Sequence, residues 1–439
     1  MQVKIDYVVA PGGVLQGRAR VPGDKSISHR AVMLGSIAEG ATRVKGFLEA
    51  EDALATLSAF RQMGVAVEGP DAGELTIYGV GMYGLKAPSG PLYLGNSGTS
   101  MRLLCGLLCG QSFDSVLTGD ASLSRRPMRR VTEPLRQMGA SIETTLQGTA
   151  PIRIFGGHKL SGIHYQMPVA SAQVKSALLL AGLYADGETC VIEPAPTRDH
   201  TERMLAGFGY AVRREGNRIC LRGGGKLVGC DLDVPADISS AAFFLVGASI
   251  AEGSEVLLEH VGVNQTRTGV IEILRLMGAK IEVLNLRQVG GEPVADLKVT
   301  YAPLRGIQIP EALVPLAIDE FPALFVAAAC AEGETVLTGA GELRVKESDR
   351  IQVMAEGLKA LGIDARPTPD GMVVRGGRIG SGRVNSHGDH RIAMAFAIAA
   401  LKAQGPIEIE DCANVSTSFP NFVDLSRRLG LQVEVVQRA

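Results

Sequence analysis

An internal repeat limits what this chain can fold into more than any other feature. Six short phrases recur at intervals of about 70 to 80 residues: "IAEGATRV", "LCGQSFDSV", "ADGETCV", "AEGSEVLL", "AEGETVL" and "AQGPIEI". About two dozen residues after each comes a second phrase: "FRQMG", "LRQMG", "LAGFG", "LRLMG", "LKALG" and "SRRLG". The order never changes. One unit therefore reads as an apolar helix rich in Ala, Leu and Gly, a β-branched strand, an amphipathic helix and another strand. The Gly of the first phrase is expected to provide a left-handed C-cap for the first helix. Small residues in that helix predict close packing of helix against helix. A length of 439 residues is too great for one core. Six units, three per half, predict two similar α/β domains.

The starts of the first helices read "DKSISHRAVML", "GNSGTSMRLLC", "ASAQVKSALLL", "ADISSAAFFLV", "IDEFPALFVAA" and "GDHRIAMAFAI". Ser, Asp and Asn there are ordinary N-caps. Capping does not explain Lys25, Arg30, Arg102, Lys175, His390 and Arg391, because cations at a helix N-terminus oppose its dipole unless an anion is present. Such starts, brought together, would offer free N–H groups and cationic side chains to an anionic ligand. The first stretch is not a nucleotide P-loop: Asp24 separates Gly23 from Lys25, and Gly17 is wrongly spaced.

Composition narrows the ligand. The chain has 44 basic and 46 acidic residues, a formal net charge of −2, and no Trp. A general nucleic-acid binder is usually basic and aromatic, so nucleic acid is not an expected partner. The segment "MQVKIDYVVAPGG" does not read as a signal peptide and no uninterrupted apolar run reaches spanning length. The expectation is a cytoplasmic, non-membrane protein. Its seven cysteines, with no CxxC pair, read as small buried hydrophobes in a reducing compartment.

Together "DKSISHR", "GNSGTSMR", "SRRPM", "SAQVKSALLLAG", "RVKESDR" and "GDHRIAMA" resemble the 5-enolpyruvylshikimate-3-phosphate synthase family of enolpyruvyl transferases, over nearly the whole chain. The resemblance implies two domains of three βαβαββ units each, an inside-out α/β barrel, with the active site in the interdomain cleft. The boundaries expected are 23–234 for units one to three and 1–22 plus 235–439 for units four to six, hinged near 21–24 and 234–237, where "VPGD" and "VPAD" each lead into a first helix. The implied activity moves the enolpyruvyl group of phosphoenolpyruvate to the 5-hydroxyl of shikimate 3-phosphate and releases phosphate, in the route to chorismate and the aromatic amino acids. No metal and no organic cofactor are implied. The two small molecules are the expected partners, and a monomer is the expected state.

Carried over by motif, the resemblance implies that Lys25, Ser26, Arg30, Ser171, Ala172, Gln173, Arg198, Asp319 and Lys346 hold shikimate 3-phosphate. It implies that Lys25, Asn96, Gly98, Arg126, Gln173, Arg350 and Arg391 hold phosphoenolpyruvate, with Arg102 shaping that pocket. Asp319, Glu347 and Lys25 are the implied catalytic groups, Asp319 serving the hydroxyl and Glu347 the methylene carbon; Asp319 also reads as a possible N-cap. Six cations (Lys25, Arg30, Arg126, Lys346, Arg350, Arg391) would then face a phosphate and a carboxylate from each substrate. Gly98 stands where the family binds the inhibitor glyphosate. The sequence departs from many members at Leu103, where Pro is frequent, and at Thr417, where a Lys is frequent. The histidines of "HGDH", His387 and His390, are weak evidence for a metal. The alternatives are a UDP-N-acetylglucosamine enolpyruvyl transferase, which would carry Lys-Asn at the first motif and a loop Cys, and a non-catalytic anion-binding or RNA-end-processing protein of similar repeats.

Overall fold

The computed structural model describes residues 4–438. The chain folds as two compact units. One comprises Gly23–Val234 with Val289–Gly291; the other comprises the described residues up to Pro22, Pro235–Gln288 and the described residues from Glu292 onward. The short excursion at 289–291, the turn of a long hairpin, is a feature the sequence did not indicate. Each unit has its own cluster of buried apolar side chains.

Among the described residues the repeat is visible as six sheets, five of four strands and one of three. In the first, Asp231–Asp233 runs parallel to Glu39–Lys45, which pairs antiparallel with Glu74–Val80, which pairs antiparallel with Ala66–Asp71. The remaining sheets follow this plan with local variations. Two of them are completed from a distance. The strand Gln16–Ala19 runs parallel to Glu255–Gly262, and Lys4–Val9 lies between Ile407–Glu410 and Val433–Arg438. Where the chain passes from one unit to the other, Asp237 N–H donates to Pro22 O at 2.9 Å. Gly23 is required there because a Cβ would lie 1.9 Å from Gly46 O.

The six first helices are α1 (Lys25–Ile37), α2 (Gly98–Cys109), α3 (Ala172–Gly182), α4 (Ile238–Ile250), α5 (Phe321–Cys330) and α6 (His390–Ala399). They are almost wholly buried; every residue of α4 is. Helices α4, α5 and α6 pack on one another in the second unit, and α2 packs on α3 in the first. The second helices of the repeats bury one face only, as Arg129–Gln137 does with Val131, Pro134 and Leu135. All six glycines that follow those helices, from Gly64 to Gly430, have positive φ. The "Glu-Gly" glycines do not cap the first helices as expected. The C-caps are the extended residues Ala38, Ala251 and Ala331, and Gly40, Gly253 and Gly333 turn the chain two residues later.

One further expectation needs correction. Cys190 and Cys220 face each other across antiparallel strands and form a disulfide, so they are not two separate buried hydrophobes; Cys105, Cys109 and Cys412 are buried free thiols. Among the described residues Glu311–Cys330 has the length and mean apolarity of a membrane span, but Asp319 and Glu320 interrupt it and about two-thirds of it is buried inside the protein. It is broken into 3-10 turns and helices around Pro315 and Pro322.

The tight α2–α3 contact depends on Gly106, where a Cβ would lie 2.0 Å from the Ala177 carbonyl oxygen. Backbone cannot rotate aside as a side chain can. Gly106→Ala is expected to sit at the upper end of overpacking costs, about 3 kcal/mol, read as a lowered urea midpoint of the first unit. An unchanged midpoint would show that the two helices part without loss.

Candidate functional site

In the first unit the starts of α1, α2 and α3 are capped by Asp24, Ser97 and Ser171, which accept from the N–H of Ile27, Ser100 and Val174. Each cap uses one backbone N–H of its helix start. Lys25, the first residue of α1, lies 3.1 Å from Asp52, and both side chains are largely buried. One turn on, Arg30 donates from Nε to Thr201 Oγ1 (2.7 Å), from one terminal nitrogen to Ser176 Oγ (2.9 Å) and from the other to Ser26 O (2.9 Å). Arg30 thereby ties α1 to α3. Arg198 reaches to 3.5 Å from Ser26 Oγ. Ser171, Ala172 and Gln173 open α3 at the same place and are half-buried.

Gln173 joins α3 to α2. Its Oε1 accepts from Arg102 at 2.7 Å, and its Nε2 donates to Thr99 Oγ1 at 3.0 Å. Arg126 donates to Asn96 Oδ1 at 2.8 Å, and Asn96 donates to Asp120 at 2.9 Å. A Cβ on Gly98 would lie 3.0 Å from a terminal nitrogen of both Arg102 and Arg126. Glycine here lets two guanidinium groups close on the start of α2. Thus Lys25, Ser26, Arg30, Ser171, Ala172, Gln173 and Arg198 are linked around α1 and α3. Asn96, Gly98, Arg102 and Arg126 are linked around α2.

In the second unit Asp389 caps α6, accepting from Arg391 N–H at 3.0 Å. Its carboxylate also accepts from Arg350 Nε (2.8 Å), from an Arg350 terminal nitrogen (3.3 Å) and from Ser348 Oγ (2.9 Å). Arg350 is fully buried. It also meets Glu347 at 2.8 Å and Asp319 at 3.5 Å, and Lys346 lies 3.4 Å from Asp319. Burial works against the Arg350 charge, but the carboxylates, Asp389 and Glu347 foremost, outweigh it and raise its pKa. Asp319, Lys346, Glu347 and Arg350 thus form one cluster. Asp319 is not an N-cap: it lies in a 3-10 turn ahead of α5, whose N-cap is Glu320. Arg391 is 7% exposed, and its guanidinium has no hydrogen-bond or ion-pair partner among the described residues.

Several sequence expectations change. The six cations are not a free pool, because Lys25 shares its charge with Asp52 and Arg350 faces three carboxylates. Lys175 is no ligand. It is fully buried between Glu193 (2.7 Å) and Glu202 (3.1 Å), and burial raises the Glu202 pKa despite the lysine. Glu193 also accepts from Thr197, next to Arg198, so Lys175 secures the segment that carries Arg198. Leu103 is buried within an unbroken α2, and Thr417 donates to Asn414 O at 2.6 Å. Among the described residues His387 and His390 belong to no group able to hold a metal; the one such group is His164, Glu188 and Cys190.

Sequence reasoning missed the supports. Asp52 has no motif of its own. His29 stands inside "DKSISHR", but the family resemblance implies no role for it. Its Nδ1 meets Thr56 Oγ1 at 2.8 Å, Thr56 meets Ser100 Oγ at 2.6 Å, and Ser100 donates to Ser97 Oγ at 2.7 Å. This chain of hydroxyls joins α1 to the start of α2. Burial first, then Lys25 and Arg30, hold the His29 pKa well below 6.5. The unfolded chain therefore binds a proton that the folded one refuses, and stability falls as pH drops below about 6.5. His29→Gln should flatten that fall: the loss of thermal midpoint between about pH 7.5 and about pH 5.5 should be smaller than in the wild type. An equal loss would assign it to other groups.

Residues 9–425 match the family model for EPSP synthase (3-phosphoshikimate 1-carboxyvinyltransferase). A 3-phosphoshikimate 1-carboxyvinyltransferase of Methylococcus capsulatus is 73% identical over 429 residues, covering 98% of each chain. One of Alkalilimnicola ehrlichii is 72% identical over 428 residues, covering 97% of this chain and 96% of the relative. Among solved structures, an EPSP synthase from Acinetobacter baumannii superposes with a TM-score of 0.88 at 62% identity, covering 99% of this chain and 100% of that one. The enolpyruvyl transferase NikO from Streptomyces tendae, at 16% identity and a TM-score of 0.81 over the full length of both chains, shares the fold. These matches do not favour the UDP-sugar or the non-catalytic alternative, and the chain belongs to the EPSP synthase (3-phosphoshikimate 1-carboxyvinyltransferase) family.

Proposed function

We propose that this chain, acting as a cytoplasmic monomer, transfers the enolpyruvyl group of phosphoenolpyruvate to the 5-hydroxyl of shikimate 3-phosphate. The observation that carries the reading is the pair of carboxylates, Asp319 and Glu347, both on Arg350 and accompanied by the largely buried Arg391, whose guanidinium has no partner among the described residues. A reaction that moves two protons between two anionic substrates needs this combination. Asp319 takes the proton of the 5-hydroxyl as its oxygen attacks C2 of phosphoenolpyruvate. Glu347 supplies a proton to C3, giving a tetrahedral intermediate. Return of a C3 proton to Glu347, with cleavage of the C2–O bond and departure of phosphate carrying the proton held by Asp319, then restores the double bond.

Binding divides between the two sets of residues. Lys25, Ser26, Arg30, Ser171, Ala172, Gln173, Arg198 and Lys346 hold shikimate 3-phosphate, with Asp319 on its hydroxyl. Asn96, Gly98, Arg126, Gln173, Arg350 and Arg391 hold phosphoenolpyruvate, and Lys25 serves both substrates. Bidentate guanidinium contacts suit the phosphate and carboxylate groups. The missing Cβ of Gly98 admits a ligand close to Arg102 and Arg126.

Phosphate release tests the proposal. The wild type should release phosphate only with both substrates present, and none with a UDP-sugar in place of shikimate 3-phosphate. Asp319→Asn and Glu347→Gln should each lower kcat by about 100-fold or more, the scale of lost acid–base catalysis, with little change in KM. Loss of binding with turnover retained at saturation would make the affected carboxylate an orienting group instead.

A further inference from the structure

The disulfide sits in an environment that a structural crosslink does not need. His164, Cys190, Cys220 and Arg213 are register partners on four neighbouring strands of one sheet, so their side chains share a face. The opposite face carries Val191, Ile219 and Leu221 into the core. On the outer face, Glu188 Oε1 lies 3.4 Å and an Arg218 nitrogen 3.5 Å from Cys190 Sγ. The same Arg218 nitrogen is 3.0 Å from His164 Nδ1. That contact places an Nδ1 lone pair towards Arg218, close to the sulfur. Ligand atoms of His164, Glu188 and Cys190 all lie within 4.8 Å of one another, and Cys220 adds the sulfur bonded to Cys190.

We propose that the reduced form of this pair, with His164 and Glu188, is a binding site for a zinc-class divalent metal ion, and that the disulfide closes it. Two thiolates, an imidazole and a carboxylate form a four-ligand set suited to tetrahedral zinc. In a reducing compartment such cysteines serve metals more often than crosslinks. The charges agree. Two thiolates and one carboxylate bring three negative charges, and a divalent ion leaves one, which Arg218 and Arg213 offset. Arg213 already holds Glu188 Oε2 at 3.4 Å, leaving Oε1 directed at the sulfur and orienting the ligand from behind. Opening the site takes two electrons and two protons from a dithiol reductant. Each sulfur becomes a thiol and the reductant leaves as its cyclic disulfide. The metal then displaces both thiol protons.

Co2+ serves as the optical probe, on full-length protein reduced with dithiothreitol and desalted without oxygen. Reduced wild type should bind one equivalent with a thiolate-to-cobalt charge-transfer band and the intense visible bands of a tetrahedral site, both abolished by added Zn2+. Oxidised protein should show neither. His164→Ala and Glu188→Gln leave the cysteines in place and should each weaken Co2+ binding by about 10-fold or more. Cys190→Ser should lose the charge-transfer band, while unchanged phosphate release verifies its fold. No stoichiometric charge-transfer band in the reduced wild type would overturn the proposal. So would the same band in Cys190→Ser, or full affinity in both His164→Ala and Glu188→Gln.

Discussion

The second unit turns on the ion pair between Arg350 and Asp389, both fully buried. Breaking such a pair from one side leaves a buried charge and costs about 3 to 5 kcal/mol, so neither partner can move without the other. Asp389 also caps α6, and that fixes the position of Arg391 beside it. Arg350 in turn carries Glu347 and Asp319. The two carboxylates therefore belong to one rigid set rather than to two independent loops. In the first unit neutral groups do the equivalent work. Hydroxyls of Thr201, Ser176 and Thr99, with the Gln173 amide, hold Arg30 and Arg102.

A common arrangement emerges from the repeat. In each unit apolar first helices pack together, and side chains bridge their starts. Arg30 and Gln173 link three starts in the first unit, while Ser239 donates to Glu320 at 2.9 Å to link α4 with α5 in the second. Helix N-termini gathered in this way attract anions. The cations resident there are tolerable because carboxylates such as Asp52 and Asp389 offset part of their charge. Arg391, lacking such an offset among the described residues, is the position where an incoming anion gains most.

Much of this was legible in the sequence, because repeats and caps are local signals. The spacing of the Leu-Gly and Met-Gly phrases marks six helix ends, and all six glycines adopt positive φ. The grouping of Lys25, Ser26 and Arg30, and of Lys346, Glu347 and Arg350, follows from one helical turn or one loop. What stayed hidden depends on long-range pairing. Lys175 looks like another cation at a helix start, and only the folding of Glu193 and Glu202 over it shows that its charge is consumed. Asp52 and His29 act through partners many residues away. Cys190 and Cys220 are 30 residues apart, and nothing in the spacing says that their strands are in register.

The central claim is that the fold holds Arg391, largely buried and without a side-chain partner among the described residues, ready for an anionic substrate. Arg391→Met, which keeps length and removes charge, tests it by thermal unfolding with and without phosphoenolpyruvate and shikimate 3-phosphate. The account predicts a higher midpoint than wild type for the variant alone, since a largely buried charge with no partner among the described residues is costly. It also predicts that the substrates raise the wild-type midpoint but raise that of the variant much less. A lower midpoint for the variant alone, with the substrate-induced rise intact, would contradict the claim.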